Sequence, residues 1–187
     1  MGKFLIGFII GVVAFPVLVG LYFLTGSVPA AVADHAFPLE KFIAGGALYA
    51  KINKEAPKRD LSSFTKEDIV AGASVYRHGD CQDCHGFPAG VPPRDTHVLY
   101  PPAPLLFTRD GNVADDPVGV TYWKVKNGIR LSGMPSYQSR LNDQQMWQVA
   151  AFVASEDRLP PEAIEPLMPR VPPAAAPTSP PPPLPHK

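Results

Sequence analysis

Both cysteines of this 187-residue chain fall in one short stretch, Gly79-Asp80-Cys81-Gln82-Asp83-Cys84-His85-Gly86. Two thiols three positions apart, with a histidine directly after them, suit three chemistries: a zinc site, a redox-active disulfide, or covalent attachment of a haem. Zinc requires two further ligands. His35, His78 and His97 are available, but no second pair stands at the usual ligand spacing. A redox pair belongs in a strand-and-helix setting, whereas this pair follows a helical stretch and precedes a proline-rich loop. For haem the geometry is direct. Two thiols at a helix end can each form a thioether to one vinyl group of a single macrocycle, and His85 then turns its imidazole to the iron.

A second iron ligand is the next requirement, and the chain has four methionines. Met1 opens the apolar leader, Met146 sits in the apolar stripe of a helix, and Met168 lies in a proline-rich tail. Met134 alone has a loop setting, Gly133-Met134-Pro135. Glycine before it allows close approach of the backbone, and proline after it stiffens the loop. It follows His85 by 49 residues, enough chain to wrap one haem and return on its other face.

Helices are needed to hold these groups. Thr65-Lys66-Glu67-Asp68 carries a capping residue and an acid three positions on, with Ile69, Gly72 and Tyr76 following at helical spacing. That helix should end near Gly79. "NDQQMWQVAAFVAS" predicts another, capped by Asn142, with Met146, Val149, Ala150 and Val153 on one face. A shorter helix is expected over 120–128, closed by Gly128. Helices this short, joined by long loops, leave a domain poor in apolar burial unless something large and apolar fills its centre.

The remaining chain sets location. Residues 4–25 contain no charge and follow Lys3, long enough to cross a bilayer and longer than a signal-peptide core. Ala31-Val32-Ala33 resembles a cleavage site, but it lies well beyond the apolar run, so a retained single-pass anchor is favoured. Lys3 keeps the amino end inside and puts the rest outside the cytoplasm. Gly7 and Gly11 form a weak helix-packing motif, and Pro16 is a possible kink. "LEKFIAGGALYAKINKE", residues 39–55, carries a loose apolar stripe with lysines, suited to a membrane surface, a partner subunit or an ordinary linker. Of 24 prolines, 12 fall after residue 158, where the chain is expected to be extended or disordered. The parts are thus an anchor at 1–25, a connector at 26–60, a haem domain at 61–158 and a tail at 159–187. Seventeen basic and 17 acidic residues leave no net charge, which argues against nucleic acid.

"YRHGDCQDCHG", "YWKVKNGIRLSGMPSY" and "LNDQQMWQVAAFVAS" together resemble class I cytochromes c of the bacterial, membrane-anchored kind, over residues 64–156. The resemblance implies an all-α class I cytochrome c fold, three to four short helices around one covalent haem c, here preceded by a transmembrane helix and followed by the proline-rich tail. It implies that Gly72 receives an aromatic from the last helix, Trp147 or Phe152. It also implies that a proline carbonyl holds the other nitrogen of His85, with Pro101, Pro102, Pro104, Pro92 and Pro93 as candidates. Tyr100, Trp123 and Arg130 are candidates to line the pocket or meet the propionates, with core packing favoured for Trp123. Tyr76 stands five residues before Cys81, one more than the family spacing, and Gly79 is the expected place for the extra residue.

The function implied is one-electron transfer by a His85/Met134-ligated haem in a bacterial inner membrane, the haem domain facing the periplasm. Redox proteins are the expected partners, as other subunits of a respiratory or dehydrogenase complex. Neither an enzymatic activity of its own nor a small-molecule substrate is expected. The alternative is a haem enzyme or gas sensor in which Met134 leaves the iron.

Overall fold

The computed structural model describes residues 2–26, 28, 31–32, 34, 37–88, 93, 99–108 and 116–167. Ala33, His35, Pro92, His97, Met168 and the tail from residue 168 on lie outside the described residues. Among the described residues the chain is all helical. Helix α1 spans Gly2–Leu24, contains Pro16, and buries none of its residues. By length and composition it can cross a membrane.

Helix α2, Glu40–Glu55, lies within the connector. Helix α3, Lys66–His78, begins at a complete capping box: the Thr65 hydroxyl accepts from the Asp68 N–H, and the Asp68 carboxylate accepts from the Thr65 N–H. Helix α4 is the single turn Cys81–His85, and α5 is Val118–Asn127. Helix α6, Asp143–Val153, starts with the matching box between Asn142 and Gln145. Both boxes satisfy amides that the first helical turn leaves without partners.

The centre of the domain is the crossing of α3 and α6. Gly72 makes it possible: a Cβ there would run into the Gln148 carbonyl oxygen and come within 2.8 Å of the Phe152 Cβ. Phe152 is the aromatic at this crossing, packed with Tyr76 and Phe107 at centroid separations of 5.4 and 5.6 Å. Trp147 is elsewhere, stacked on Tyr122 at 4.0 Å with Arg59 over its ring. Tyr122, Met146 and Ala150 form the second small cluster, where α5 meets α6.

Residues 159–167 depart from the expectation of an extended tail. The chain turns through Glu156–Arg158 and forms the short helix α7, Pro161–Ile164, with a 3-10 turn over Glu165–Leu167. Both pack on α3. Proline at the first helical position is compatible with a helix start, because its missing N–H would have no partner there. Ala163 and Leu167 supply apolar side chains that the α3 and α6 faces bury, at 0 % and 1 % exposure. Leu167→Ala is therefore expected to cost about 2–3 kcal/mol, read as a lowered denaturation midpoint. If the segment were a loose tail the midpoint would not move.

The connector is also partly folded onto the domain. Ile52 of α2 is completely buried, and the Pro57 carbonyl sits where a side chain on Gly119 would be. Trp123, which is nearly buried, donates its Nε1–H to Glu55 Oε2 at 3.2 Å. These contacts join α2 to α5.

Candidate functional site

Helix α3 delivers the cysteine segment. It ends where the Gly79 N–H donates to the Val75 carbonyl at 2.8 Å. The reversal is then made by Asp80 in the left-handed region, φ 57°, rather than by Gly79, whose φ is −87°. Aspartate is one of the few side chains that tolerates this conformation. The additional residue between Tyr76 and Cys81 is thus taken up at Asp80. Tyr76, 1 % exposed, donates its hydroxyl to the Gly86 carbonyl at 2.7 Å and so ties α3 to the residue after His85. Tyr76→Phe would leave that carbonyl without its donor. A loss of about 1–2 kcal/mol is expected, measured by chemical denaturation, with a zero change contradicting the tie.

Both thiols are half-buried on α4 and form no disulfide. Burial, and secondarily the Asp80 carboxylate, pushes the Cys81 thiol up to about 12. The Tyr137 hydroxyl beside it acts in the opposite direction. That hydroxyl also donates to the Gly79 carbonyl at 3.3 Å. Tyr137 is three residues beyond Met134, so this contact brings the methionine loop to the cysteine segment.

His85 is held by the loop that follows. Its Nδ1–H donates to the Pro104 carbonyl at 2.8 Å, and its own carbonyl accepts from the Leu106 N–H at 3.2 Å. Pro104 is the partner among the prolines considered; Pro101 and Pro102 are exposed and make no such contact. Desolvation lowers the imidazole's affinity for a proton, the Pro104 bond opposes this, and Lys124 adds to the lowering. A neutral imidazole with Nδ1–H engaged leaves Nε2 as the lone-pair donor.

The Met134 loop is pinned on both sides. Its N–H donates to Ser132 Oγ at 3.1 Å, and its carbonyl accepts from the Ile129 N–H at 3.1 Å. Gly128, at φ 69°, lies under Met134 and Pro135, where a Cβ would come within 2.9 Å of the Met134 oxygen. The space beside Gly133 is filled by Leu99, whose methyl carbons lie 2.7 and 2.8 Å from where a Cβ would be.

The remaining candidates divide. Tyr100 has a buried hydroxyl beside the Glu40 carboxylate of α2. Desolvation, followed by the nearby Glu40 carboxylate, raises its pKa. Trp123 turns its polar edge to α2 and serves packing. Arg130 is exposed, four residues before Met134. Sequence reasoning missed Tyr137, Leu99 and Ser132, because no spacing rule says which loop a side chain returns to. Against the zinc reading, His78 engages Nδ1–H with the Ser74 carbonyl at 2.8 Å. Among the described residues no group of three or more His, Cys, Asp or Glu side chains is assembled for a metal.

This donor set fits a haem: two thiols on one helical turn, an imidazole with a free Nε2, and a thioether on a pinned loop. Residues 67–153 match the family described as cytochrome c oxidase, cbb3-type, subunit III. No curated protein and no solved structure matches the chain. Cys81 and Cys84 stand at the spacing for covalent attachment, and residues 67–153 are a class I c-type cytochrome domain with a covalent haem c and an electron-transfer role.

Proposed function

We propose that the chain is a membrane-tethered one-electron carrier and a subunit of a larger respiratory complex, its haem attached through Cys81 and Cys84 and ligated by His85 and Met134. Helix α1 anchors it in a bacterial inner membrane, and the haem domain works on the periplasmic side. The family match supports the oxidase setting. The haem supplies reversible exchange between ferric and ferrous iron. The protein's part would be to hold that group through Cys81, Cys84, His85 and Met134. Pro104 orients His85, and the hydrogen bonds to Ile129 and Ser132 hold the Met134 backbone. The folded domain extends to Leu167, beyond the family match.

The observation that carries this reading is the Nδ1–H bond from His85 to Pro104, which leaves Nε2 for iron. Residues 61–158 carry 9 basic and 11 acidic side chains, too balanced for strong long-range steering. A partner held in the same membrane suits such a surface, since electron-transfer contacts are small and short-lived. The visible spectrum of the purified ferric protein tests the ligation. The methionine–iron charge-transfer band should be present, and carbon monoxide should leave the ferrous spectrum unchanged. A high-spin spectrum that responds to carbon monoxide would instead establish the enzyme or sensor reading.

A further inference from the structure

Helix α2 has two unlike faces. Leu48 and Ile52 are turned inward at helical spacing, and Ile52 is fully buried. On the opposite side Leu39, Phe42, Ile43, Gly46, Tyr49 and Ala50 form a stripe that nothing among the described residues covers. Phe42 is 78 % exposed, Ile43 59 % and Leu39 69 %. Leu39 additionally holds a left-handed backbone, φ 67°, a costly conformation for leucine. The protein therefore keeps a large apolar stripe in solvent on a helix that is already docked by its other side.

We propose that this outward face of α2 lies in the headgroup region of the bilayer, so that α2 sets the height and orientation of the haem domain above the membrane. The inference rests on the reading of α1 as a membrane anchor. Two further observations select lipid as the occupant. The first is chain length: 15 residues, 25–39, separate the end of α1 from α2, so α2 cannot be more than ~50 Å from the membrane surface. Tethering at that range makes docking effectively intramolecular. The second is charge. Residues 39–59 contain Lys41, Lys51, Lys54, Lys58 and Arg59 against only Glu40 and Glu55. Lys51 pairs with Glu55 and Arg59 lies over Phe64, whereas Lys41, Lys54 and Lys58 make no ion pair among the described residues. An anionic lipid surface thus attracts α2 and the basic residues just after it, while the nearly balanced haem domain is neither drawn nor strongly repelled. Aromatic, aliphatic and lysine side chains on one exposed helix match the interfacial region of a bilayer.

Site-specific photocrosslinking tests this. The full-length holoprotein would carry benzoylphenylalanine at Phe42 or Ile43, with Val13 of α1 and the exposed Ser74 of α3 as reference positions. It would be irradiated in vesicles of phosphatidylcholine and phosphatidylglycerol and in native membranes. Lipid adducts at positions 42 and 43, several-fold above those at 74, are expected in both. An adduct of dimer mass would assign the face to a second copy, and an adduct to a different protein would assign it to a partner subunit; either overturns the proposal. Lipid adducts at position 13 with none at 42 and 43 would overturn the proposal alone. Failure at position 13 would overturn the anchor reading and this inference with it.

Discussion

Met134→His is expected to lower the reduction potential by on the order of a few tenths of a volt, within the range that axial ligands command, and to leave the haem covalently attached. The thioether is a soft donor that favours ferrous iron. Imidazole is the stronger base and favours ferric iron. The loop is held through main-chain atoms, the Met134 N–H on Ser132 and the Met134 carbonyl on Ile129. The substitution therefore exchanges the donor atom with little reason for the backbone to move. Potentiometric titration of the purified protein measures the shift, and haem staining of a denaturing gel checks attachment. An unchanged potential would remove Met134 from the iron. Tyr76→Phe, by contrast, weakens the fold and leaves His85 and Met134 unaltered.

The second large effect is at the helix crossing. Gly72→Val is expected to destabilise the domain by about 3–5 kcal/mol, above the ordinary cost of overpacking because the obstacle is backbone. The first added carbon already meets the Gln148 carbonyl and lies 2.6 Å from its carbonyl carbon. Relief requires α3 and α6 to separate, which opens the packing of Ala73, Val149 and Phe152, all at most 3 % exposed. For a domain of this size the melting temperature should fall by roughly 15 °C or more. A shift of only a few degrees would mean that the helices can slide apart cheaply. Substituting Gly46, where a Cβ would meet nothing within 4 Å, is the control.

Some of this architecture is written locally. The capping residues Thr65 and Asn142, the glycine after α5 and the spacing of Met146, Val149, Ala150 and Val153 act within a few residues of themselves, so each helix was legible before any fold was considered. The order Cys81-x-x-Cys84-His85, then Met134, is likewise a matter of side-chain chemistry, and it already separated haem from zinc and disulfide. The shift of α5 to begin at Val118 lies at a helix end, where local signals are weakest.

Other features depend on which segments meet. Five prolines were equally suitable as partners of His85, because every proline carries the same carbonyl; only the path of the loop brings Pro104 to 2.8 Å. Phe152 and Trp147 were equivalent aromatics until the crossing of α3 and α6 gave Phe152 the position beside Gly72. Composition misled at residues 160–167, where a proline-rich reading missed that Ala163 and Leu167 would find an apolar surface on α3. The sequence by itself thus determined the candidate donors and the main helices around them, because caps, periodicity and ligand chemistry act over a few residues. Tertiary structure alone decided the partner of His85, the return of Tyr137 to the cysteine segment and the face of α2 left uncovered. Those depend on the meeting of segments distant in the chain, and burial and hydrogen-bond geometry select among residues that are chemically alike.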